Sequence, residues 1–104
     1  MNNDCIFCNL PKQATIIENE LAFAIFDKFP KSKGHTLILP KRHAENFFDI
    51  TDEEMLAIKQ LAFQMKDKLK SEDDTILGFK FQTNIGKAAG QEIMHCHFHL
   101  IPKR

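Results

Sequence analysis

Residues 94 to 101 read Met-His-Cys-His-Phe-His-Leu-Ile, and three of the chain's five histidines stand in this one stretch. On a strand, side chains alternate between faces, so His95, His97 and His99 project together while Cys96, Phe98 and Leu100 face a core. Imidazoles two residues apart then lie about 7 Å from one another. Such a row can do two kinds of chemistry. His-x-His on a strand can place two ligands on one zinc ion. Alternatively, one neutral imidazole acts as a nucleophile while its neighbours handle protons. A solvated polar face is the third reading, and histidine's lack of special strand propensity argues against it. Spacing alone does not separate metal from nucleophile.

The residues before the row point to a phosphate. Asn84 lies on the polar face of the preceding segment, and Gly86, Gly90 and Gln91 fall between the two. Glycine-containing loops let backbone N–H groups approach phosphate oxygens, although hairpin turns also call for glycine. No Gly-Lys-Ser/Thr ends the loop and no helix follows, so it is not a Walker A motif. Beside the imidazole row, the loop suggests a phosphate over His97. At the other end of the chain, Cys5 and Cys8 form a C-x-x-C, which is open between metal ligands, a redox pair and two ordinary thiols. Cys96 reads as a buried core residue.

These side chains need a frame. Thr15 to Glu18 and Leu21 to Asp27 are β-compatible, with Asn19-Glu20 as a turn between them, and form a hairpin. Lys28 to Gly34 is a loop, and His35 to Leu39 is a central strand stopped by Pro40. Thr51 to about Ser71 is the clearest helix. Thr51 and Glu54 make a capping box, with Ile50 and Met55 as a hydrophobic staple. Met55, Ile58, Ala62, Met65 and Leu69 form its apolar stripe, and its methionines are core residues. Leu77, Phe79 and Phe81 alternate with Lys80, Gln82 and Asn84 along the next strand, and Ile93 to Ile101 is the last, ended by Pro102. Many strands and one long helix predict an α+β domain with an antiparallel sheet, covered on one face by the helix.

Composition narrows the functional classes. The 104 residues suit one domain over 1–104, and 14 basic residues balance 14 acidic ones. That balance argues against dedicated nucleic-acid binding. No run approaches the roughly 18 apolar residues of a membrane span, and the first residues lack the pattern of an export signal. An odd number of cysteines suits a reducing compartment, so a cytoplasmic setting is expected. Domains this small gain from oligomerisation, which makes a homodimer the expected assembly.

His95-Cys96-His97-Phe98-His99-Leu100-Ile101 resembles the H-φ-H-φ-H-φ-φ signature of the histidine triad (HIT) family, with Cys96 in an apolar slot. Gly34-His35-Thr36-Leu37-Ile38-Leu39-Pro40-Lys41-Arg42-His43 is similar to that family's G-H-x-L-φ-φ-P-K-x-H segment. Asn84 and Ala88-Ala89-Gly90-Gln91-Glu92 fall at the family's spacing before the triad. With Cys5-Ile6-Phe7-Cys8, the resemblance spans nearly the whole chain and has a bacterial tone. It implies a five-stranded antiparallel sheet with one long and one short helix, dimerising into a continuous larger sheet. It also implies transfer or hydrolysis of nucleotidyl groups from phosphoramidates, adenylates or dinucleoside polyphosphates. His97 would be the nucleophile, His99 and His35 phosphate contacts, and Asn84, Gln91 and Gly90 part of the phosphate and leaving-group site. Asp27 would bind the ribose, and Phe7, Leu10, Ile25 and Phe26 would wall the base. Cys5, Cys8, His43 and His95 would hold a structural zinc, with no catalytic cofactor. The sequence departs from the family's phosphoramidases in a shorter connection after Cys8 and in Glu92, where some have serine. Many relatives also continue past the residues matching Lys103-Arg104. Two other classes stay open: a zinc-stabilised nucleotide-binding module with little turnover, and a zinc hydrolase using the triad as ligands.

Overall fold

A computed structural model describes residues 5–104. The reading of the N-terminus as free of an export signal rests mainly on residues 1–4, which lie outside the described residues. Five strands form one antiparallel sheet: β1 (Thr15–Glu18), β2 (Ala22–Phe26), β3 (Thr36–Pro40), β4 (Gly78–Gln82) and β5 (Phe98–Lys103), in the order β1-β2-β3-β5-β4. The helix α1 (Asp52–Glu72) covers one face. Among the described residues, the anticipated short helix exists only as single 3-10 turns, one of them Phe47–Asp49 just before α1. No described helix is long and apolar enough to cross a membrane.

Helix α1 starts where its capping residues dictate. Thr51 Oγ1 accepts from the Glu54 N–H at 3.1 Å, and the Glu54 carboxylate accepts from the Thr51 N–H at 2.8 Å. Two N-terminal donors are satisfied reciprocally. Ile50 and Met55 are each partly buried against the core, and Ile58, Leu61, Met65 and Leu69 are buried in one cluster with Ala22, Ala24, Ile38, Phe98 and Leu100. Strands β2 and β5 contribute alternate residues to this core, as the two-residue period requires. The intervening residues Phe23, Ile25, Leu37 and Leu39 face the other way and meet Cys5 and Phe7 in a smaller cluster. This second face is the side of the sheet that the helix leaves uncovered.

Glu54 has a second task, because Arg42 donates to both of its oxygens at 2.9 Å. Arg42 first, and then the Thr51 amide, hold the Glu54 carboxyl below its usual range against the opposing effect of burial. The stabilisation is full above the unfolded carboxyl value of about 4.3 and is lost as pH falls through the lower folded value. Glu54→Gln should cost about 1–2 kcal/mol at pH 7, with a flatter loss of melting temperature between neutral pH and pH 3 than the parent. Parallel melting curves in that range would sink this account.

Two boundaries differ from the sequence reading. The last strand begins at Phe98 rather than Ile93 and runs through Pro102 to Lys103. Strand β3 pairs with β5 only from Phe98 to Leu100, so Pro102 falls where that side has no ladder to interrupt. His95 and His97 precede the strand. The Cys96 N–H bonds to the Ala44 carbonyl at 2.6 Å, and the Thr83 hydroxyl donates to the His97 carbonyl at 2.7 Å. Loop and side-chain bonds thus take the place of a ladder. Leu77 lies outside β4 and is 83% exposed, whereas Phe81 stacks on Phe98.

Candidate active site

Cross-strand register builds the floor of a cleft of about 540 Å³ on the uncovered face. Ile25 on β2 pairs with Leu37 on β3, Leu37 pairs with His99 on β5, and His99 pairs with Gln82 on β4. All four line the cleft. Phe7 and Phe26 extend its apolar side, and Asp27, Asn84, Gly90, Glu92 and His97 supply the polar one. Of the residues singled out in the sequence, Phe7, Ile25, Phe26, Asp27, Asn84, Gly90, His97 and His99 come together here. His35 lies beneath, 1% exposed.

Two others are placed elsewhere. Leu10 lines an adjoining hollow that shares Phe7 with the cleft, together with Cys8, Pro11, Phe23 and Lys41. Gln91 is buried inside the loop: its amide donates to the carbonyls of Glu45 and Ile93, and its oxygen accepts from the Gly86 N–H. Those bonds hold the loop's shape. Gly90 adopts the left-handed conformation at φ 93°, with Asn84 Nδ2 3.6 Å from where a Cβ would stand. The sequence reading missed Leu37, Gln82 and Lys31 as lining residues. The first two were detectable in principle as the same-face neighbours of Ile25 and His99, once the register was known.

Protons in the site are fixed by backbone partners. A carbonyl can only accept, so the 2.7 Å contact between His97 Nδ1 and the His95 carbonyl places the proton on Nδ1 and the lone pair on Nε2. Burial pushes the His97 imidazole below its ordinary value, opposed by that bond and by Asp27 and Glu92. His35 is also lowered by burial. Burial, then the neighbouring rings His97 and His35, bring His99 down to about 4. All three rings are therefore neutral near pH 7. The site offers N–H donors and a lone pair rather than imidazolium cations.

His95 faces the opposite way. Its Nε2 donates to the Pro40 carbonyl at 2.8 Å, leaving Nδ1 bare, 3.5 Å from both Cys5 Sγ and Cys8 Sγ. His43 Nδ1 is 3.2 Å from Cys8 Sγ. The four donor atoms lie within 4.8 Å of one another. This is a Cys₂His₂ set, and a carbonyl holding the far nitrogen is the usual second-shell partner of a ligating histidine. The residues fit a metal ion. By contrast Cys96, buried and pushed up to about 12 chiefly by desolvation, has no reactive thiolate.

The three triad rings do not converge on one point. His95 joins the cysteines, His99 joins Asp27 and His35, and His97 is in neither cluster. That arrangement removes the reading of the triad as ligands to a single zinc.

Comparison with known proteins agrees with this geometry. The HIT domain family model matches residues 10–104. An uncharacterized 16.1 kDa HIT-like protein of Mycoplasma pneumoniae is 42% identical over 106 residues, covering 98% of this chain and 73% of that one. The adenosine 5'-monophosphoramidase of Saccharomyces cerevisiae is 38% identical over 104 residues, covering 96% of this chain and 63% of the yeast protein. A crystal structure of a HIT family protein from Bacillus anthracis superposes with a TM-score of 0.90 at 33% identity, covering 99% of this chain and 75% of that chain. An imidazole row beside a half-apolar cleft, on a fold shared over nearly its full length with such proteins, places this chain in the HIT family.

Proposed function

We propose that the protein is a nucleotidyl hydrolase or transferase acting at the α-phosphate of a purine nucleotide conjugate through an intermediate on His97. One observation carries the reading: His97 Nδ1 is committed to the His95 carbonyl, which leaves a neutral Nε2 lone pair at a cleft wall. The yeast relative's phosphoramidase activity supports the same chemistry, with a phosphoramidate as the first substrate to try.

In the proposed reaction His97 Nε2 forms a bond to phosphorus as the bond to the leaving group breaks. The leaving amine or phosphate departs with the electron pair and takes up a proton from solvent. Water then attacks the same phosphorus and loses a proton to solvent, the electron pair of the breaking Nε2–P bond returns to Nε2, and nucleoside monophosphate is released. The His99 ring and the Asn84 amide stabilise charge on the non-bridging oxygens. Asp27 accepts from the ribose hydroxyls, while Phe7, Ile25 and Phe26 bury the base. Gln91 acts on this site indirectly, through the loop it braces.

Zinc is the ion we assign to Cys5, Cys8, His43 and His95. It ties the N-terminal knuckle to the sheet and, with four protein ligands, has no open position for substrate. Reduced cysteines suit the cytoplasm. We further propose that residues 1–104 act as one domain and that two copies pair into a homodimer.

Acid-quenched mass spectrometry after mixing with an adenosine phosphoramidate tests the reading. The expected result is a nucleoside monophosphoryl group on the peptide carrying His97, absent in His97→Ala. Tight nucleotide binding with neither adduct nor turnover would establish the binding-module alternative instead.

A further inference from the structure

Beside His97, the donor atoms of Asp27, His35 and His99 stand 2.9, 3.3 and 3.9 Å apart. Ligands about 2.0–2.1 Å from a tetrahedral zinc are separated by about 3.3 Å. On distance alone this cluster is a second metal site, opening onto the cleft. Its protons decide otherwise.

The backbone N–H of Lys31 donates to His35 Nδ1 at 3.1 Å. A nitrogen that accepts a hydrogen bond carries no proton, so a neutral His35 must hold its proton on Nε2. Nε2 is the atom that a metal would need bare. Shifting the proton to Nδ1 would set two N–H groups against each other at that distance, on a ring only 1% exposed. We infer that the Lys31 amide locks this cluster as a one-way hydrogen-bond relay that is closed to metal. The relay runs from the Lys31 N–H to His35 Nδ1, and from the His35 Nε2–H to His99 Nδ1 at 2.9 Å. His99 is left with its own proton on Nε2.

The loop is tied down so that the amide stays in place. Asp27 Oδ1 accepts from the Phe29 N–H, the His35 N–H bonds to the Ser32 carbonyl, and the His35 carbonyl accepts from the Asp27 N–H. Gly34 allows the tight entry, at φ 93° and with Leu69 and Pro102 atoms 3.2 Å from any added Cβ. His95 shows the opposite case in the same molecule. There a carbonyl takes the proton of one nitrogen and bares the other toward two cysteines. Carbonyl or amide behind the ring decides which cluster can ligate. The relay's purpose rests on the proposed function: it gives His99 a single donor orientation toward a phosphoryl oxygen, which makes Lys31 a positioning residue.

Imidazole nitrogen-15 correlation spectra of the zinc-loaded protein at pH 7 test the inference without reference to turnover. His35 and His99 should both show the Nε2–H tautomer, with a trans-hydrogen-bond coupling from the Lys31 nitrogen to His35 Nδ1. Added Co²⁺ should leave both sets of signals unmoved. Lys31→Pro removes the donor, and the variant should bind one further equivalent of Co²⁺ with a thiolate-free spectrum. Should that variant fail to fold, His35→Gln retains an N–H donor and should keep His99 on Nε2–H, while His35→Leu should let it mix tautomers. An Nδ1–H tautomer at His35, or Co²⁺ broadening of His35 and His99 in the parent protein, would overturn the relay. A Lys31→Pro protein that still refuses cobalt would overturn the lock. An inactive enzyme that shows the predicted tautomers would sink the proposed function and leave the relay standing.

Discussion

His97→Ala should reduce kcat on an adenosine phosphoramidate by about 10³–10⁶-fold while changing KM far less. The substitution removes the atom proposed to bond phosphorus and leaves the cleft lining, from Ile25 and Phe26 across to Asn84, in place. What survives is the modest acceleration due to binding and oxyanion stabilisation alone. Steady-state kinetics with a melting curve as control would check it, and a variant within tenfold of the parent would end the case for a nucleophilic imidazole. The parent's pH profile follows from the same burial. His97 must be neutral to attack, and burial holds it below the ordinary histidine value of about 6.5. The acid limb of kcat/KM should therefore fall below pH 6.5, with activity flat from there through neutrality. Stability follows a related course through His99. Its folded value of about 4 lies below the unfolded one, so the unfolded chain binds the proton first as pH falls. Stability is undiminished above about pH 6.5 and declines between there and pH 4.

Stripping the metal, or replacing Cys8 by serine, should lower the stability of the folded protein by about 3–5 kcal/mol. For a domain of about 100 residues that corresponds to a fall in melting temperature of roughly 12–40 °C. The cluster joins three distant parts of the chain: the Cys5–Cys8 knuckle, the segment after β3 that carries His43, and His95 before β5. Without a cation, Cys5 and Phe7 are held to the sheet mainly by the smaller apolar cluster with Ile25, Leu37 and Leu39. Phe7 also packs edge-on against His97 at 5.1 Å between ring centres. Loosening the knuckle should therefore raise KM as well, since Phe7 would leave the cleft wall. Calorimetry of chelator-treated protein, with zinc content measured alongside, checks the first effect. Unchanged melting after complete removal of the ion would show that the cysteines carry no structural metal.

Much of this was legible in the sequence because the signals were local. The capping box Thr51–Glu54 and the stripe of Ile58, Met65 and Leu69 depend on spacing within one helix and stand where the spacing puts them, while Ala57 and Leu61 are buried more fully than the expected Met55 and Ala62. The alternation of Cys96, Phe98 and Leu100 with the histidines likewise assigned opposite faces, and the first three are in the core beneath α1. The single face assumed for the three histidines held less well. His95 and His97 precede the strand; the His95 ring joins the cysteines, whereas the His97 ring belongs to neither cluster. Leu10 and Gln91 show the same limit. Their roles were carried by resemblance along the chain, while Leu10 lines another hollow and Gln91 is occupied by the carbonyls of Glu45 and Ile93.

Residue types and short-range periods determined the helix, the hairpin, the core face and which side chains are proposed to react. Tertiary structure alone decided which nitrogen of each ring bears the proton, because that depends on backbone partners remote in the chain, such as the Pro40 carbonyl behind His95, or set by a loop's path, such as the Lys31 amide behind His35. Periodicity governs where a side chain points. Only folding settles what stands behind it, and for an imidazole that neighbour determines whether the free edge attacks, donates or ligates.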